Sequence, residues 1–211
     1  MTTQKKMIKI LLADDHFMVR VGLAASISKE PDFEVTGEAE SAAEACELGL
    51  EMQPDVALID MHLGDADGTS VLEFFKENCP SIRSIILSVS TSENHVLKAD
   101  AAGVRGYLPK SSDREEIIDA IRSVARDDSY FPSAIRRILE SGKSRQPLSK
   151  RETDVLEQLA KGLRNKEIAD ALGLAELTVK QHVSSVLKKL EVEDRTQAAM
   201  AAVERGLIQL D

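Results

Sequence analysis

Residues 8–15 read IKILLADD, and residues 55–60 read DVALID. Each stretch is a short apolar run that ends in aspartate, which is typical of a strand buried on both faces of a parallel sheet. Helical patterns alternate with such runs through the N-terminal part of the chain, in five pairs of strand and helix. The alternation predicts an α/β fold, a doubly wound five-stranded parallel sheet with the strand order 2-1-3-4-5.

The starts of the predicted helices and one proline support this reading. Three helix starts have the pattern of a capping box, in which a hydroxyl and a carboxylate satisfy free N–H groups. They are Ser41 with Glu44, Ser112 with Glu115, and Ser149 with Glu152. Pro109 in the fifth predicted strand removes a hydrogen-bond donor, which only an edge strand tolerates. In the order 2-1-3-4-5 the fifth strand is an edge, so the proline agrees with the predicted order.

The sequence pattern divides the chain into three segments. Residues 1–126 alternate strands and helices, residues 127–147 lose the alternation, and residues 148–211 are wholly helical. The middle segment contains one possible short helix and then SGKSRQP, a small polar stretch typical of a flexible connection. We therefore predict an N-terminal α/β domain, a linker with a possible short helix, and an all-α domain of four helices. In the last domain a short helix, a turn at Gly173 and a longer helix form a helix-turn-helix.

Composition and charge limit the classes of partner. The chain of 211 residues is 43% apolar and 30% charged, with no run long enough to span a membrane, so we expect a cytoplasmic protein without a membrane anchor. Its net charge of −9 is unusual for a nucleic-acid binder. Residues 1–126 contain 13 basic and 22 acidic residues, however, whereas residues 147–211 contain 10 and 11. A nearly neutral C-terminal domain can present one basic face, and dimerisation on DNA would strengthen its attraction for phosphate.

Acidic residues end two of the predicted strands: Asp14 and Asp15 follow the first, and Asp60 ends the third. These strands flank the point where strand order reverses, so the three carboxylates should converge there. Crowded carboxylates favour a cation between them, and an all-oxygen cluster selects a hard ion such as Mg2+. Ser88 ends the fourth strand and Lys110 the fifth. Their hydroxyl and ammonium groups are suited to hold two oxygens of a phosphoryl group on Asp60.

This arrangement resembles the receiver domain of bacterial two-component response regulators over residues 7–126. The resemblance implies that Asp60 accepts a phosphoryl group from the phosphohistidine of a sensor histidine kinase. It also implies that Asp14 and Asp15 hold Mg2+ or Mn2+ together with Asp60 and the backbone carbonyl of His62.

The same resemblance implies a switch and shows one departure. Ser88 would move toward the phosphate, and Tyr107, three residues before Lys110, would turn inward behind it. Gly64 stands where receivers commonly have proline, so we expect a looser loop after the phosphoacceptor.

The longer helix of the helix-turn-helix has one apolar face and one polar face. Val179, Val183, Val186, Leu187 and Leu190 recur at helical spacing and form the core face. The side chains that then face outward are Lys180, Gln181, Ser184 and Lys188. Lysine donates to guanine or phosphate, glutamine pairs with adenine, and serine serves either purpose.

Residues 148–208 resemble the DNA-binding domain of NarL/LuxR-type regulators, through the stretches LSKRE, GLRNKEIA, TVKQHV and LKKL. The resemblance implies that Lys180, Gln181 and Ser184 approach bases of double-stranded DNA. The side chains expected to contact the DNA backbone are Thr178, Lys188 and Lys166. In this family the final helix pairs two domains, so a homodimer is expected after phosphorylation or on DNA. Ala175 stands where a capping Ser or Thr is frequent, so we expect the recognition helix to fray until DNA or packing orders it.

We therefore predict a two-component response regulator that binds specific DNA sequences and regulates transcription under the control of Asp60 phosphorylation. It would dephosphorylate itself slowly and would not be a turnover enzyme. One alternative is a receiver that has lost phosphorylation control and binds DNA constitutively, which Gly64 and His62 suggest. Another is an enzyme, either a phosphohydrolase or a flavin carrier. Against the enzyme, His62 stands where a DxD hydrolase needs an acid, and the chain has no Trp and only two Tyr.

Overall fold

A computed structural model describes residues 7–64, 66–144 and 146–208, apart from the side chains of Lys143, Ser144 and Glu204. Arg145 in the predicted linker and the outermost residues of both predicted domains lie outside the described part. The chain forms two compact units. The first comprises the residues up to Thr91 and His95–Leu139, and the second comprises Glu140 onward with Ser92–Asn94.

A five-stranded sheet forms the centre of the first unit. Its strands are β1 (Ile8–Ala13), β2 (Phe33–Ala39), β3 (Val56–Asp60), β6 (Arg83–Ser88) and β7 (Gly106–Pro109). They pair in parallel in the order β2-β1-β3-β6-β7, which is the predicted order 2-1-3-4-5. The prediction of the fold class is thus confirmed. Pro109 lies opposite Ser88 at the end of the edge strand β7, where its missing N–H is tolerated.

Helices cover both faces of this sheet. They are α1 (Phe17–Ile27), α2 (Ala42–Met52), α3 (Thr69–Asn78), α4 (Glu93–Ala101) and α5 (Arg114–Ala125). Successive strand residues point to opposite faces, so Leu11 packs in one apolar cluster with Phe75, whereas Leu12 packs in the other with Ile118. Residues 10–13 of β1 and all of β3 are therefore buried on both faces, and the carboxyl ends of the two strands are fixed in position.

The predicted capping boxes have three different outcomes. Ser149 and Glu152 form the full box. The Ser41 hydroxyl accepts from the Glu44 N–H as predicted, but the Glu44 carboxylate accepts from the N–H of Glu40 instead of Ser41.

The box at Ser112 is wrong by one residue. Asp113 has the extended backbone of an N-cap, its carboxylate accepts from the Glu116 N–H at 2.8 Å, and α5 begins at Arg114. A carboxylate one position later therefore displaces the serine hydroxyl as the cap.

The second unit is helical. After α6 (Ser133–Ser144) it contains α7 (Lys150–Ala160), α8 (Asn165–Leu172), α9 (Glu176–Leu190) and α10 (Arg195–Glu204). Val155, Ile168, Val179, Val186 and Ala198 pack in one apolar cluster. Gly173 has φ of +64°, a left-handed conformation that ends α8 and turns the chain into α9.

The helix predicted in the connecting segment exists and begins within the first unit. Ile135 and Leu139 on α6 are buried in the same apolar cluster as Phe75 of α3. The first half of α6 is therefore part of the packed first unit. None of the helices in the described ranges is long and apolar enough to cross a membrane.

Candidate functional site

The carboxylates of Asp14, Asp15 and Asp60 meet at the carboxyl ends of β1 and β3. Ligand atoms from these residues and His16 all lie within 4.8 Å of one another. Asp14 and Asp60 are 2% and 4% exposed, whereas Asp15 lies at the exposed rim. The structure therefore brings the three predicted acids together in one pocket open to solvent on the side of Asp15.

Lys110, which follows β7, provides the positive charge of this pocket. Its Nζ lies 2.6 Å from Asp60 Oδ2 and 2.7 Å from Asp14 Oδ2. The bond to Asp60 is directed, but Asp14 Oδ2 accepts no directed hydrogen bond although it is buried. Burial raises the pKa of the Asp60 carboxyl, against the effects of Lys110 and the His62 N–H. Burial acts to lower the pKa of Lys110, but its ion pairs with the Asp14 and Asp60 carboxylates outweigh that effect and raise it.

Backbone N–H groups hold the buried carboxylates in place. The N–H of His16 donates to Asp14 Oδ1 at 2.9 Å, and that of His62 donates to Asp60 Oδ1 at 3.3 Å. These contacts turn each carboxylate toward the pocket and fix its orientation.

Gly64 contributes a further donor. The loop that we expect to be looser contains a two-stranded hairpin, β4 (His62–Leu63) and β5 (Ala66–Asp67), with Gly64 between the strands at φ of +63°. The Gly64 N–H donates to Asp15 Oδ2 at 3.2 Å. A proline here would have neither this φ nor this donor.

Ser88 and Tyr107 are both fully buried behind the pocket. The Ser88 hydroxyl accepts from the Ser90 N–H at 3.1 Å, and the Tyr107 hydroxyl donates to the Ser90 carbonyl at 2.7 Å. Burial raises the pKa of the Tyr107 phenol. Ser90 therefore connects the two predicted switch residues, a role that the sequence did not reveal because both contacts use its backbone.

His16 is a second residue whose role the sequence did not reveal. Its Nδ1 lies 2.6 Å from Asp15 Oδ1 and 3.5 Å from Asp14 Oδ1. Burial acts to raise the pKa of Asp15, but the hydrogen bond from His16 and the Gly64 N–H hold it below its usual value. The available signal was the position of His16 directly after the acidic pair.

The candidate DNA-contacting residues lie on the surface of the second unit. Lys180, Gln181, Ser184 and Lys188 are exposed on α9, Thr178 is half-buried at its start, and Lys166 is exposed on α8. Val179, Val186 and Leu190 occupy the opposite side of α9 and are buried in the core. As expected, Ala175 provides no side-chain cap for α9.

Glu152 connects α7 to the same helix α9. It is 5% exposed and accepts hydrogen bonds from Ser185 Oγ at 2.5 Å, Lys189 Nζ at 2.7 Å and the Ser149 N–H at 2.6 Å. Burial opposes ionisation, but these donors lower the pKa of Glu152 to about 2. The sequence predicted its role in the cap but not its bonds to α9.

Family models match both units. Residues 10–122 match the response regulator receiver domain, and residues 146–202 match the luxR family of bacterial regulatory proteins. The chain belongs to the response regulator family. It combines a receiver domain with a LuxR-type DNA-binding domain, as the sequence predicted. Response regulators are regulators and not metabolic enzymes, so the hydrolase and flavin-carrier alternatives are set aside.

Individual relatives of this response regulator cover almost its whole length. It is 37% identical to the response regulator protein VraR of Staphylococcus saprophyticus and 39% identical to VraR of Staphylococcus aureus, over 96% of this chain and 99% of each relative.

Solved structures show similar folds. The response regulator ChrA of a heme-sensing two-component system matches at 30% identity with a TM-score of 0.55, over 96% of this chain and 99% of ChrA. RcsB of Salmonella typhimurium matches at 23% identity with a TM-score of 0.75, over 93% of this chain and 99% of RcsB. A structure of RcsB in complex with DNA matches at 23% identity with a TM-score of 0.71, over 94% of this chain and 99% of RcsB.

Proposed function

We propose that a sensor histidine kinase phosphorylates Asp60, and that phosphorylation controls how this response regulator binds specific DNA sequences and regulates transcription. The observation that carries the proposal is the buried Asp60 carboxylate, 2.6 Å from Lys110 Nζ, in one chain with a DNA-binding domain. We also propose residues 1–126 as the receiver domain, 127–147 as the linker and 148–211 as the DNA-binding domain. Because its target is DNA, we place the protein in the cytoplasm.

Asp60 is the nucleophile of the proposed phosphoryl transfer. One Oδ atom forms a bond to the phosphorus while the P–N bond to the kinase histidine breaks and its electron pair returns to the imidazole. Lys110 would neutralise the charge on the transferred oxygens, and the Ser88 hydroxyl would move toward the phosphate and donate to one of them. Release of the Ser88–Ser90 bond would then alter the backbone that also holds Tyr107.

The donor set fits a hard divalent cation, Mg2+ or Mn2+. Three carboxylates face the single ammonium of Lys110, and buried Asp14 Oδ2 makes no directed hydrogen bond. The residues that would hold the ion are Asp14, Asp15, Asp60 and the backbone carbonyl of His62. A bound cation would supply positive charge opposite the phosphoryl oxygens.

The lifetime of the phosphoryl group depends on whether a neighbouring side chain orients a water molecule for attack on the phosphorus. His62 is exposed, and Val89 is 80% exposed one residue after Ser88. Neither side chain presents a carboxylate or amide that would orient an attacking water molecule. We therefore propose slow self-dephosphorylation.

The proposed DNA contacts lie on α9 and α8. Lys180, Gln181 and Ser184 would approach bases, while Thr178, Lys188 and Lys166 would contact the DNA backbone. A solved RcsB structure shows two dimers bound to DNA. We propose that this protein likewise acts as a homodimer on DNA, which would favour half-sites related by two-fold symmetry.

The test compares native protein with Asp60→Asn after treatment with acetyl phosphate and Mg2+. Binding is measured on duplexes selected from a random library by the treated native protein. The native protein should bind more tightly after treatment, Asp60→Asn should not respond, and EDTA should abolish the response. Asp128→Asn, which removes an exposed carboxylate outside the pocket, is the matched control and should respond like the native protein.

Equal affinities of native and Asp60→Asn protein after treatment would overturn control by phosphorylation. Intact-mass measurements separate the remaining alternative. If no phosphoryl group is added to the native protein and DNA binding is nevertheless tight, the receiver has lost its control and binding is constitutive.

A further inference from the structure

One large apolar side chain on α9 is unaccounted for by the core of the second unit. Leu177 is 70% exposed in the first turn of this helix, all of whose residues the structure describes. The other large apolar side chains of α9, among them Val179, Val186 and Leu190, pack in the core. Water around an exposed leucine is unfavourable, so this position is suited to an apolar contact with a partner.

The position of Leu177 places it on the polar face of the helix. Gln181, Ser184 and Lys188 follow it by four, seven and eleven residues, so the four side chains form one stripe opposite the core. Lys180 lies to one side of this stripe. Glu176 precedes Lys180 by four residues and lies on that same side, so it does not belong to the stripe. Leu177 is therefore the first member of a stripe that otherwise contains hydrogen-bond donors and a cation.

Charge favours DNA as the occupant of this surface. Lys180 and Lys188 are exposed on α9, and Lys166 is exposed on α8. In a helix-turn-helix the N-terminal residues of the second helix contact base edges in the major groove. The one apolar group that a base pair presents in that groove is the C5-methyl group of thymine.

We infer that Leu177 reads a thymine methyl group in the major groove and thereby contributes to operator specificity. The inference rests on the proposed function, because it requires α9 to enter the groove. Leu177 thereby adds an apolar contact to the polar contacts of the stripe. This contact distinguishes T·A from C·G through a methyl group and not through a hydrogen bond.

The experiment removes the methyl group from the DNA and the leucine from the protein, separately and together. Full-length protein treated with acetyl phosphate and Mg2+ first selects its site from a random duplex library. Each thymine of that site is then replaced by deoxyuridine, which lacks only the methyl group. One thymine per half-site should show about fourfold weaker binding when replaced, which corresponds to the roughly 0.8 kcal/mol for burial of one such group.

Leu177→Ala should bind the thymine duplex about fourfold more weakly per half-site and should not distinguish thymine from deoxyuridine at that position. Lys188→Ala is the matched control on the same stripe: it should weaken binding to both duplexes and keep their ratio. Because Leu177 is exposed and alanine favours helix, circular dichroism of the variant should match that of the native protein.

The outcomes separate the inference from the function on which it depends. If the library yields no preferred site, the proposed function fails. If a site is selected but Leu177→Ala keeps the full effect of deoxyuridine, or no thymine shows an effect, the reading of a methyl group is wrong. A variant that loses self-association in sedimentation while keeping the methyl effect would assign Leu177 to a protein interface instead.

Discussion

Glu152 is a buried charge that is fully paired. Its two carboxylate oxygens accept from Ser185, Lys189 and the Ser149 N–H, so that one side chain fixes both the start of α7 and the last turns of α9. A buried carboxylate is tolerated when its hydrogen bonds offset the loss of hydration. The orientation of α9 therefore depends on a buried residue of α7.

We predict that Glu152→Gln destabilises the second unit by about 1.5–3 kcal/mol at pH 7, because bonds to a charged group are removed. Since the pKa of Glu152 falls from 4.5 to about 2 on folding, its contribution is present above pH 4.5. As the pH falls from 4.5 toward 2, the difference between native protein and variant should shrink. Urea unfolding at several pH values measures this, with exposed Glu157→Gln on the same helix as control. Equal stabilities at pH 7 would contradict the prediction.

Sequence and structure agree on the position of single residues where the side chain itself makes the contact. Asp14, Asp15, Asp60 and Lys110 could be predicted because each follows or ends a strand whose position is fixed by the sheet. The contacts of Ser90 could not, because a backbone N–H and carbonyl leave no trace in the identity of the residue.

At the scale of elements, the five long strands and all the helices could be predicted from hydrophobic period and length. The hairpin β4–β5 could not, because strands of two residues carry no period. The predicted N-cap of α5 is one residue too early, because Ser112 and Asp113 are both good caps and only the fold selects between them. Gly64 departs from the receiver pattern in the sequence, yet its N–H donor to Asp15 depends on a hairpin that no local pattern predicts.

That hairpin supports a prediction about the acidic pocket. Gly64→Pro should weaken Mg2+ binding about tenfold, because it removes the N–H that orients Asp15 and cannot adopt φ of +63°. Gly64→Asn keeps the N–H and tolerates the left-handed conformation, so it should bind nearly as native. Isothermal titration with MgCl2 compares the three proteins. If Gly64→Pro binds Mg2+ as tightly as the native protein, the Gly64 N–H does not contribute to Mg2+ binding.

The uncapped start of α9 supports a prediction about the stability of the second unit. Ala175 has the extended backbone of an N-cap but no side-chain oxygen, so Ala175→Asp should stabilise the second unit by about 0.5–2 kcal/mol. The matched change is Asp194→Ala at the start of α10, where the carboxylate accepts from the Gln197 N–H, and it should destabilise by a similar amount. Chemical denaturation followed by circular dichroism measures both. If Ala175→Asp does not raise the free energy of unfolding, packing alone fixes the first turn of α9.

At the scale of the molecule, acidic charge is concentrated in the receiver part and exposed lysines lie on the helix-turn-helix. The chain carries a net charge of −9, and residues 1–126 contain 22 acidic residues. Long-range repulsion from this part is screened over about 10 Å at 0.1 M salt, whereas a lysine in contact with phosphate acts directly. We therefore expect the salt dependence of DNA binding to depend on the lysines of α9 and α8 more than on the total charge.

The association constant K for DNA falls as the salt concentration rises. We predict that Lys188→Ala makes the slope of log K against log salt concentration less steep, by about 0.9 for each phosphate that is no longer neutralised, or about twice that value for a dimer. Binding should weaken by a similar factor on every sequence, because a bond to phosphate carries no base preference. Lys180→Ala should instead relax the preference at one position of each half-site. Fluorescence anisotropy over a range of KCl concentrations distinguishes these effects, with exposed Lys29→Ala in the receiver part as the control. An unchanged slope in Lys188→Ala, together with altered base preference, would move Lys188 from the DNA backbone to the bases.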